Sequence, residues 1–432
     1  MDDRVPLPAH TDVAGFAAAC VQNLAAAVAE IGSAPPPVDP QAVALAYTAE
    51  RHLRIAGERP APFAELSGFF ACRDGWVRTH GNYPHHARAL REALMLPAEA
   101  GRAEAAVRMA TLPAAEVSAA VARAGGLCAV VAREDPARDA ALRSLPLVRL
   151  SRLGDAPARA VHARVGAPPR DAPLRGIRVL DLTRVLAGPT CTQTLALWGA
   201  TVLRIDPPAL PEIAWQHVLT GHGKRSALLD IGTATGRARW DELLASADVV
   251  VLGYRPAALA RLGLSPAALA AQRPGVIVAE LRAWEQADRR GFDSIVQAAS
   301  GISWIEGDAD APGALPAQAL DYSAGFLMAA AVLRLLRRRA AEGGSWLAQT
   351  SLRRVAAELL GRARTPRAEP ADARPDATGR LQHFTVGGRS VITAAPPIRL
   401  GGRGFAAPRP WGEDEPRWDE PFDEPVSAGR GG

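Results

Sequence analysis

Asp321 is the side chain with the clearest capacity for chemistry in this sequence. It follows the loop 312–320 and opens a strongly apolar helical pattern that runs to Arg339. One interpretation is structural, because aspartate is a common N-cap residue. The other is catalytic, because a helix dipole keeps a carboxylate ionised at the helix N-terminus, where it can face a ligand and act as a nucleophile. The residue pattern alone favours the cap and does not exclude the nucleophile.

Other common catalytic and binding motifs are missing from the sequence. There is no Gly-x-Gly-x-x-Gly loop and no Walker sequence. The nearest approach to a Gly-x-Ser-x-Gly nucleophile elbow begins at Asp321, which stands where that motif needs its first glycine. The four cysteines form no CxxC pair, so the sequence predicts neither a zinc site nor a disulfide framework. His85 and His86 are the one adjacent histidine pair, and we expect them on a solvated helix.

The elements that must position Asp321 are predicted by runs of β-branched residues that alternate with helical stretches. Such runs indicate a parallel sheet buried on both faces, hence a doubly wound α/β, Rossmann-like domain. The predicted strands are 176–183, 200–206, 248–252 and 276–281, and the predicted helices are 187–197, 256–262 and 321–339.

Three regions are distinguished along the chain. Residues 1–167 carry an Ala-rich helix, a strand–turn–strand pattern with Asp-Gly at its turn and two amphipathic helices, which predicts a small α+β domain. A Pro-rich linker precedes the α/β domain, assigned to residues 168–360. Residues 361–432 are predicted to form a flexible spacer, two short closing strands (384–386 and 390–394) and a disordered tail over the last twenty or so residues.

Composition excludes several classes of protein. The net charge is +5, but arginines and acids are interspersed and aromatic residues make up only 5%, so a nucleic-acid-binding stripe is not expected. The longest apolar run, near 324–336, is too short to span a membrane, and the first residues show no signal-peptide pattern. The few, scattered cysteines favour a reducing compartment, and we expect a cytoplasmic protein.

Over residues 174–352 the chain resembles the family III CoA-transferases, whose superfamily includes formyl-CoA transferase and alpha-methylacyl-CoA racemase. The matching phrases include LRGIRVLDLTRVLAGPTCTQTLALWGATVLRIDPP, ADVVVLGYRPAALARLGLSPAAL and LPAQALDYSAGFLMAAAVLRLLRRRAAEGG, in the family's order and spacing. The resemblance implies that Asp321 is the catalytic nucleophile. It would form a mixed anhydride from an acyl-CoA and then an aspartyl-CoA thioester that a carboxylic acid accepts. It implies no metal and no cofactor besides the CoA thioester.

The resemblance also implies residues that contact CoA. These are the turn after the first α/β strand, a pair after a later strand, and two basic positions that meet the phosphates or backbone: Arg184, Val185, Leu186, Ala187, Gly253, Tyr254, Arg261 and Arg282.

Several departures from the family pattern bear on the substrate. Phe292 stands where racemases carry a catalytic His, which disfavours racemisation. Leu186 replaces a polar residue of formyl-CoA transferase, and that enzyme's Gly-rich flap has no counterpart here. The segment 69–147 resembles the family's small domain but precedes the α/β part, so the domain order reads as permuted. A homodimer is expected from the family. An acyl-CoA racemase or isomerase, or a catalytically weak CoA-binding paralogue, stays open as an alternative.

Overall fold

The computed structural model describes residues 4–32, 35–161, 168–286, 288–308, 310–364 and 374–418. Its helices are α1 Val13–Ala29, α2 Pro40–Tyr47, α3 Ala49–His52, α4 Pro84–Leu94, α5 Arg102–Ala110, α6 Ala114–Arg123, α7 Pro136–Arg143, α8 Ala187–Leu197, α9 Ala214–Thr220, α10 Ala234–Leu244, α11 Pro256–Arg261, α12 Pro266–Gln272, α13 Asp293–Ser300, α14 Ile302–Ile305, α15 Ala319–Glu342 and α16 Leu352–Leu360. Its strands are β1 Arg54–Ile55, β2 Gly68–Cys72, β3 Gly75–Thr79, β4 Cys128–Val130, β5 Arg149–Gly154, β6 Arg178–Leu182, β7 Thr201–Asp206, β8 Lys224–Leu228, β9 Val249–Leu252, β10 Ile277–Arg282, β11 Ser345–Ser351, β12 Leu381–Val386 and β13 Arg389–Ala394.

The central sheet has seven strands in the order β5-β11-β10-β9-β6-β7-β8. All neighbours pair in parallel except β5, which is antiparallel to β11 at one edge. Alternate residues of one strand enter two different cores: Val249 and Val251 of β9 face one, and Val250 and Leu252 face the other. Both faces are therefore buried, as the continuous apolar runs predict, and the predicted α/β class is confirmed.

The strand order places a switch point between β6 and β9. From β6 the chain moves outward through β7 and β8, then returns to the other side of β6 and moves outward through β9, β10 and β11. Ligands of open α/β sheets bind outside the carboxyl ends of the strands at such a switch point. The edge strand β5 and the strand β11 were not predicted, because polar residues interrupt their apolar pattern.

Packing crosses the boundary predicted at residue 167. Helix α1 packs against α15, and its apolar side chains belong to the same core as one face of the central sheet. Only the segment from Leu66 to Val130, with the sheet β2-β3-β4 and helices α4–α6, has a core of its own. The division into domains stays a prediction, but the first region contributes to two cores rather than one.

The C-terminal part differs from its prediction. The closing strands are confirmed as β12 and β13, which pair with each other and with β1. The start of the tail, whose last twenty or so residues were predicted to be disordered, packs on the central sheet as far as Trp418. Trp411 Nε1 donates to Asp206 Oδ2 (2.9 Å), and Trp418 Nε1 donates to the Leu243 carbonyl (3.0 Å). The predicted spacer and the end of the tail fall largely at 365–373 and 419–432, outside the described residues.

Helix α15 is long and apolar enough to cross a membrane, and it is the one such helix among the described residues. Its most apolar window is 94% buried inside the molecule. A core helix of a soluble protein passes the same length and composition test, and burial of this extent favours that interpretation here.

Candidate active site

The N-terminus of α15 is capped from another helix. The helix begins at Ala319, and its N-cap residue Gln318 makes no side-chain capping bond. The carboxylate of Asp293, the first residue of α13, accepts a hydrogen bond from the backbone N–H of Asp321 (3.0 Å). The interpretation of Asp321 as an N-cap is therefore wrong, because Asp293 satisfies this end of the helix and leaves the side chain of Asp321 without that role.

The side chain of Asp321 is buried beside a small cavity. Its exposure is 6%, and it lines a cavity of about 50 Å³ together with Glu50, His80, Val185 and Leu186. Within the described part of the chain, its carboxylate accepts no hydrogen bond. A buried carboxyl group without partners is costly in a fold, so this arrangement is typical of a site reserved for a ligand.

Burial raises the pKa of Asp321 well above its usual range, and the neighbouring charge of Asp293 raises it further. Burial also raises the pKa of Asp293, to about 6, although the hydrogen bonds from Asp321 N and Gln297 oppose this rise. Desolvation and the like charge of Asp293 therefore oppose the ionisation of Asp321 that the helix dipole was expected to favour.

Two glycines fix the position of Asp321 relative to the first turn of the sheet. A Cβ at Gly325 would lie 2.7 Å from the Ala187 carbonyl oxygen, so α15 can pack this closely on α8 only with glycine there. A Cβ at Gly188 would lie 2.4 Å from Thr183 Cβ, so the start of α8 also lies against the end of β6. Close packing of the two helices holds Asp321 beside the β6–α8 turn.

The β6–α8 turn contains the predicted CoA-contact residues Arg184 to Ala187. Val185 has φ +69°, an unfavourable conformation for a β-branched residue. The carboxylate of Glu212 holds it there by accepting from the Val185 N–H (3.1 Å). Leu186 precedes the first residue of α8, Ala187, and lines the Asp321 cavity. Strained backbone of this kind concentrates at functional sites.

Other predicted contacts lie at the carboxyl ends of adjacent strands. Gly253 follows β9, and its N–H donates to Leu182 O at the end of β6 (3.1 Å). Tyr254 comes next and lies near the end of β7, with its hydroxyl 3.5 Å from Asp206 Oδ1. Arg282 ends β10. The sheet therefore brings these residues to one edge, together with the β6–α8 turn, at the switch point.

The three predicted arginines differ in how far their charge is already paired. Arg184 contacts Glu212 (3.4 Å), and Arg282 contacts Glu280 (2.8 Å). Arg261 is exposed in the last turn of α11. In the described chain it forms no ion pair or hydrogen bond with the other predicted site residues, so the structure does not group it with them.

His80 is a site residue that the sequence did not indicate. It lines the Asp321 cavity, and its ring stacks on Phe292 with centroids 3.9 Å apart and planes 11° apart. Burial, followed by the charges of His86 and Arg78, lowers the pKa of His80 to about 3, so the imidazole is neutral at physiological pH. His86 is also buried, contrary to the solvated helix expected for the pair, and only His85 is exposed.

Glu50, Asp293 and His80 escaped prediction for the same reason. Each is distant from Asp321 in sequence and carries no local motif, and Asp293 was noted only as the neighbour of Phe292. A signal was present in the phrase GFDSIVQ, where an acidic residue begins a helical pattern after an aromatic one, but nothing local indicates that its carboxylate caps a different helix.

About half of the chain is similar to known proteins. Residues 174–386 match the family model described as CoA-transferase family III. A probable fatty acyl-CoA transferase of Mycobacterium tuberculosis is 31% identical over 205 residues, which cover 43% of this chain and 52% of the relative. A formyl-CoA:oxalate CoA-transferase of Escherichia coli is 30% identical over 188 residues, covering 40% of this chain and 45% of the relative. The chain thus spans about half the length of these relatives.

Among solved structures, the crystal structure of a hypothetical protein from Mycobacterium tuberculosis matches with 32% identity and a TM-score of 0.41, covering 44% of this chain and 57% of that one. The sequence matches cover β6 to β12 and include the β6–α8 turn, Asp293 and Asp321. The segment 174–386, just under half of the chain, is therefore similar to CoA-transferase family III.

Proposed function

We propose that the protein transfers CoA from an acyl-CoA thioester to a carboxylic acid, with Asp321 as the nucleophile. The observation that carries this proposal is the buried carboxylate of Asp321, which lines a cavity and is released from helix capping by Asp293. The match of residues 174–386 to the family model supports the same chemistry.

The reaction proceeds through covalent intermediates on Asp321. Its carboxylate attacks the thioester carbonyl, the C–S bond breaks, and CoA leaves as the thiolate from a mixed anhydride. The thiolate attacks the Asp321 carbonyl of that anhydride, which releases the donor acid and leaves an aspartyl-CoA thioester. An acceptor carboxylate then reverses the two steps. No step needs a metal or a further cofactor.

The surroundings of Asp321 suit this chemistry. The small cavity limits the water near Asp321 to a few molecules, which slows hydrolysis of an anhydride or a thioester. A carboxylate with a raised pKa and no hydrogen-bond donors is a stronger nucleophile when ionised than a solvated one. We assign CoA binding to the strand ends that carry Arg184–Ala187, Gly253–Tyr254 and Arg282, with Arg261 at the periphery.

We also propose a role for the segment 69–147 and an assembly for the whole protein. The segment 69–147 takes the place of the family's small domain, in permuted order, and supplies His80 to the Asp321 cavity. The functional unit is a homodimer in the cytoplasm, acting on small molecules and binding neither nucleic acid nor membrane.

The test is to trap the intermediate. The protein is incubated with an acyl-CoA and then treated with hydroxylamine or borohydride, and the modified peptide is identified by mass spectrometry. We expect the modification on Asp321 and its loss in Asp321→Asn. The control Asp241→Asn, an exposed acid on α10 paired with Arg237, should leave it intact. CoA binding without any adduct would instead favour a catalytically weak CoA-binding protein.

A racemase or isomerase is the second candidate, favoured by one observation. His80 occupies the position beside Phe292 that could supply a neutral base, so the cavity holds two groups able to exchange a proton with an acyl-CoA. Exchange of the α-hydrogen of an acyl-CoA in D₂O, lost in His80→Ala, would establish this activity. Absence of exchange alongside CoA transfer would exclude it.

A further inference from the structure

A second cavity adjoins the Asp321 cavity, and a buried arginine side chain lines it. Its volume is about 270 Å³, and it shares five lining residues with the Asp321 cavity: Glu50, Pro62, Phe63, Ser294 and Gln318. Arg78 of β3 lines this second cavity but not the first. Because the cavities share a wall, a ligand group beside Arg78 lies next to the space in front of Asp321.

Arg78 is buried with its charge unpaired. Its exposure is 8%, and among the described residues it forms no ion pair and no side-chain hydrogen bond. Its guanidinium lies over the rings of Phe63 (4.9 Å) and Phe69 (4.8 Å), and its Nε is buried without a partner. Buried arginines are normally paired, and aromatic faces compensate only part of the lost hydration.

The acids near Arg78 do not neutralise it. Asp293 raises the pKa of Arg78, but burial outweighs it and lowers that pKa to about 10, so the guanidinium stays charged at neutral pH. The carboxylate of Asp293 is already engaged by Asp321 N and by Gln297 Nε2. Glu50 lines the cavity as well, but burial raises its pKa, and the Tyr322 hydroxyl donates to it.

We propose that Arg78 binds a second, remote carboxylate of the acid whose first carboxylate reacts at Asp321. The planar guanidinium matches a carboxylate in bidentate geometry. The same wall carries apolar side chains, among them Phe63, Phe69 and Leu315, which suit a short hydrocarbon chain between two carboxylates. It also carries polar side chains, among them Arg51 and Gln297. The cavity is smaller than the pockets that hold drug-sized ligands. The substrate class is therefore a short-chain dicarboxylic acid, or its mono-CoA thioester.

This inference rests on the proposed CoA transfer, and one experiment separates the two. The kcat/KM for CoA transfer is measured with succinate and with butyrate, which share a four-carbon chain and differ in the remote carboxylate. We expect succinate to be preferred by the wild-type protein. Arg78→Met should lower kcat/KM for succinate by about 100-fold, the cost of losing one partner of a buried charge pair, and change that for butyrate by less than about 3-fold.

Two further variants distinguish loss of the contact between Arg78 and the carboxylate from general destabilisation of the protein. Arg88→Met removes an exposed arginine of α4 that pairs with Glu92 outside the cavity, and it should leave both values unchanged. Arg78→Lys keeps the charge but loses the planar fork, and we expect an intermediate loss for succinate alone.

Equal loss with both acids in Arg78→Met, or no preference for succinate in the wild-type protein, would overturn the assignment of Arg78. Absence of transfer to either acid in the wild-type protein would instead contradict the proposed function. In that case, succinate binding measured calorimetrically still tests Arg78 alone. Binding that weakens in Arg78→Met and not in Arg88→Met supports the site, and equal or undetectable binding refutes it.

Discussion

Two buried acidic clusters lie near the carboxyl edge of the central sheet, and they are built in opposite ways. In the first, at the ends of β6 and β7, Asp181 contacts Lys224 Nζ (3.1 Å), and Glu212 contacts Arg204 (2.8 Å). In the second, Asp321 lies beside another acid, Asp293, and in the described chain no cation pairs with either. Burial is similar in both clusters, so the difference is the partner.

The pKa values follow this difference. Burial alone would raise the pKa of Glu212, but Arg204 and Arg184 lower it to about 2. Lys224 and Arg204 likewise outweigh burial at Asp181 and lower its pKa. Burial by itself lowers the pKa of Lys224. Its ammonium nevertheless donates to Asp181, Thr192 and the Pro189 carbonyl, and these hydrogen bonds favour the ionised pair. At Asp321 no cation opposes burial, and the pKa rises. The first cluster stabilises the fold, whereas the second keeps a carboxylate available for chemistry.

The largest expected effect comes from breaking the paired cluster. Lys224→Met leaves Asp181 buried without its cation, and we expect the free energy of unfolding to fall by about 3–5 kcal/mol. Urea denaturation measures this loss. The control Arg239→Met removes a solvent-exposed arginine paired with Glu242 and should cost less than about 1 kcal/mol. A loss in Lys224→Met no greater than that of the control would show that the pair does not stabilise the fold.

Replacing Asp321 is expected to raise the free energy of unfolding, whereas replacing Lys224 lowers it. A carboxyl group whose pKa is raised by folding destabilises the protein as the pH rises above its unfolded pKa, and this loss is complete above the folded pKa. Asp321→Asn removes the titrating group and should raise the free energy of unfolding at neutral pH by about 1–3 kcal/mol, given about 1.4 kcal/mol for each unit of raised pKa. Denaturation at pH 4 and pH 7 tests this, because the gain should be present at pH 7 and nearly absent at pH 4.

A smaller effect is expected from Asp293→Asn, which keeps an oxygen to accept from Asp321 N but removes the negative charge. The attack requires ionised Asp321, so the rate rises with pH through the pKa of Asp321. Without the repulsion from Asp293 that pKa falls, and the acid limb of the pH–rate profile should move to lower pH. An unchanged profile would indicate that burial alone sets the pKa of Asp321.

Sequence patterns predicted the elements that local chemistry specifies. Helix α8 is confirmed from Ala187 to Leu197, and the β-branched runs of β6, β7, β9 and β10 lie where they were expected. The strand β11 was not predicted, because Gln349 and its polar neighbours break the apolar run, and a strand completed by its neighbours needs no strong local pattern. The packed segment 411–418 was predicted to be disordered, because two tryptophans that anchor it to distant residues carry no local signal.

The site was predicted in the same uneven way. Asp321 and the β6–α8 turn lie within contiguous phrases of the sequence, so their types and spacing identify them. By itself the sequence thus determined the α/β class, the carboxylate that opens α15, and the turn before α8, since each depends on residues close together along the chain. Only the tertiary structure decided that Asp293 caps α15 and that His80 and Glu50 line the Asp321 cavity. It also decided that Arg78 lies next to that cavity without an ion-pair partner among the described residues. Those contacts join residues tens to hundreds of positions apart, and whether a buried charge is paired depends on which distant side chains the fold brings within a few ångströms of it.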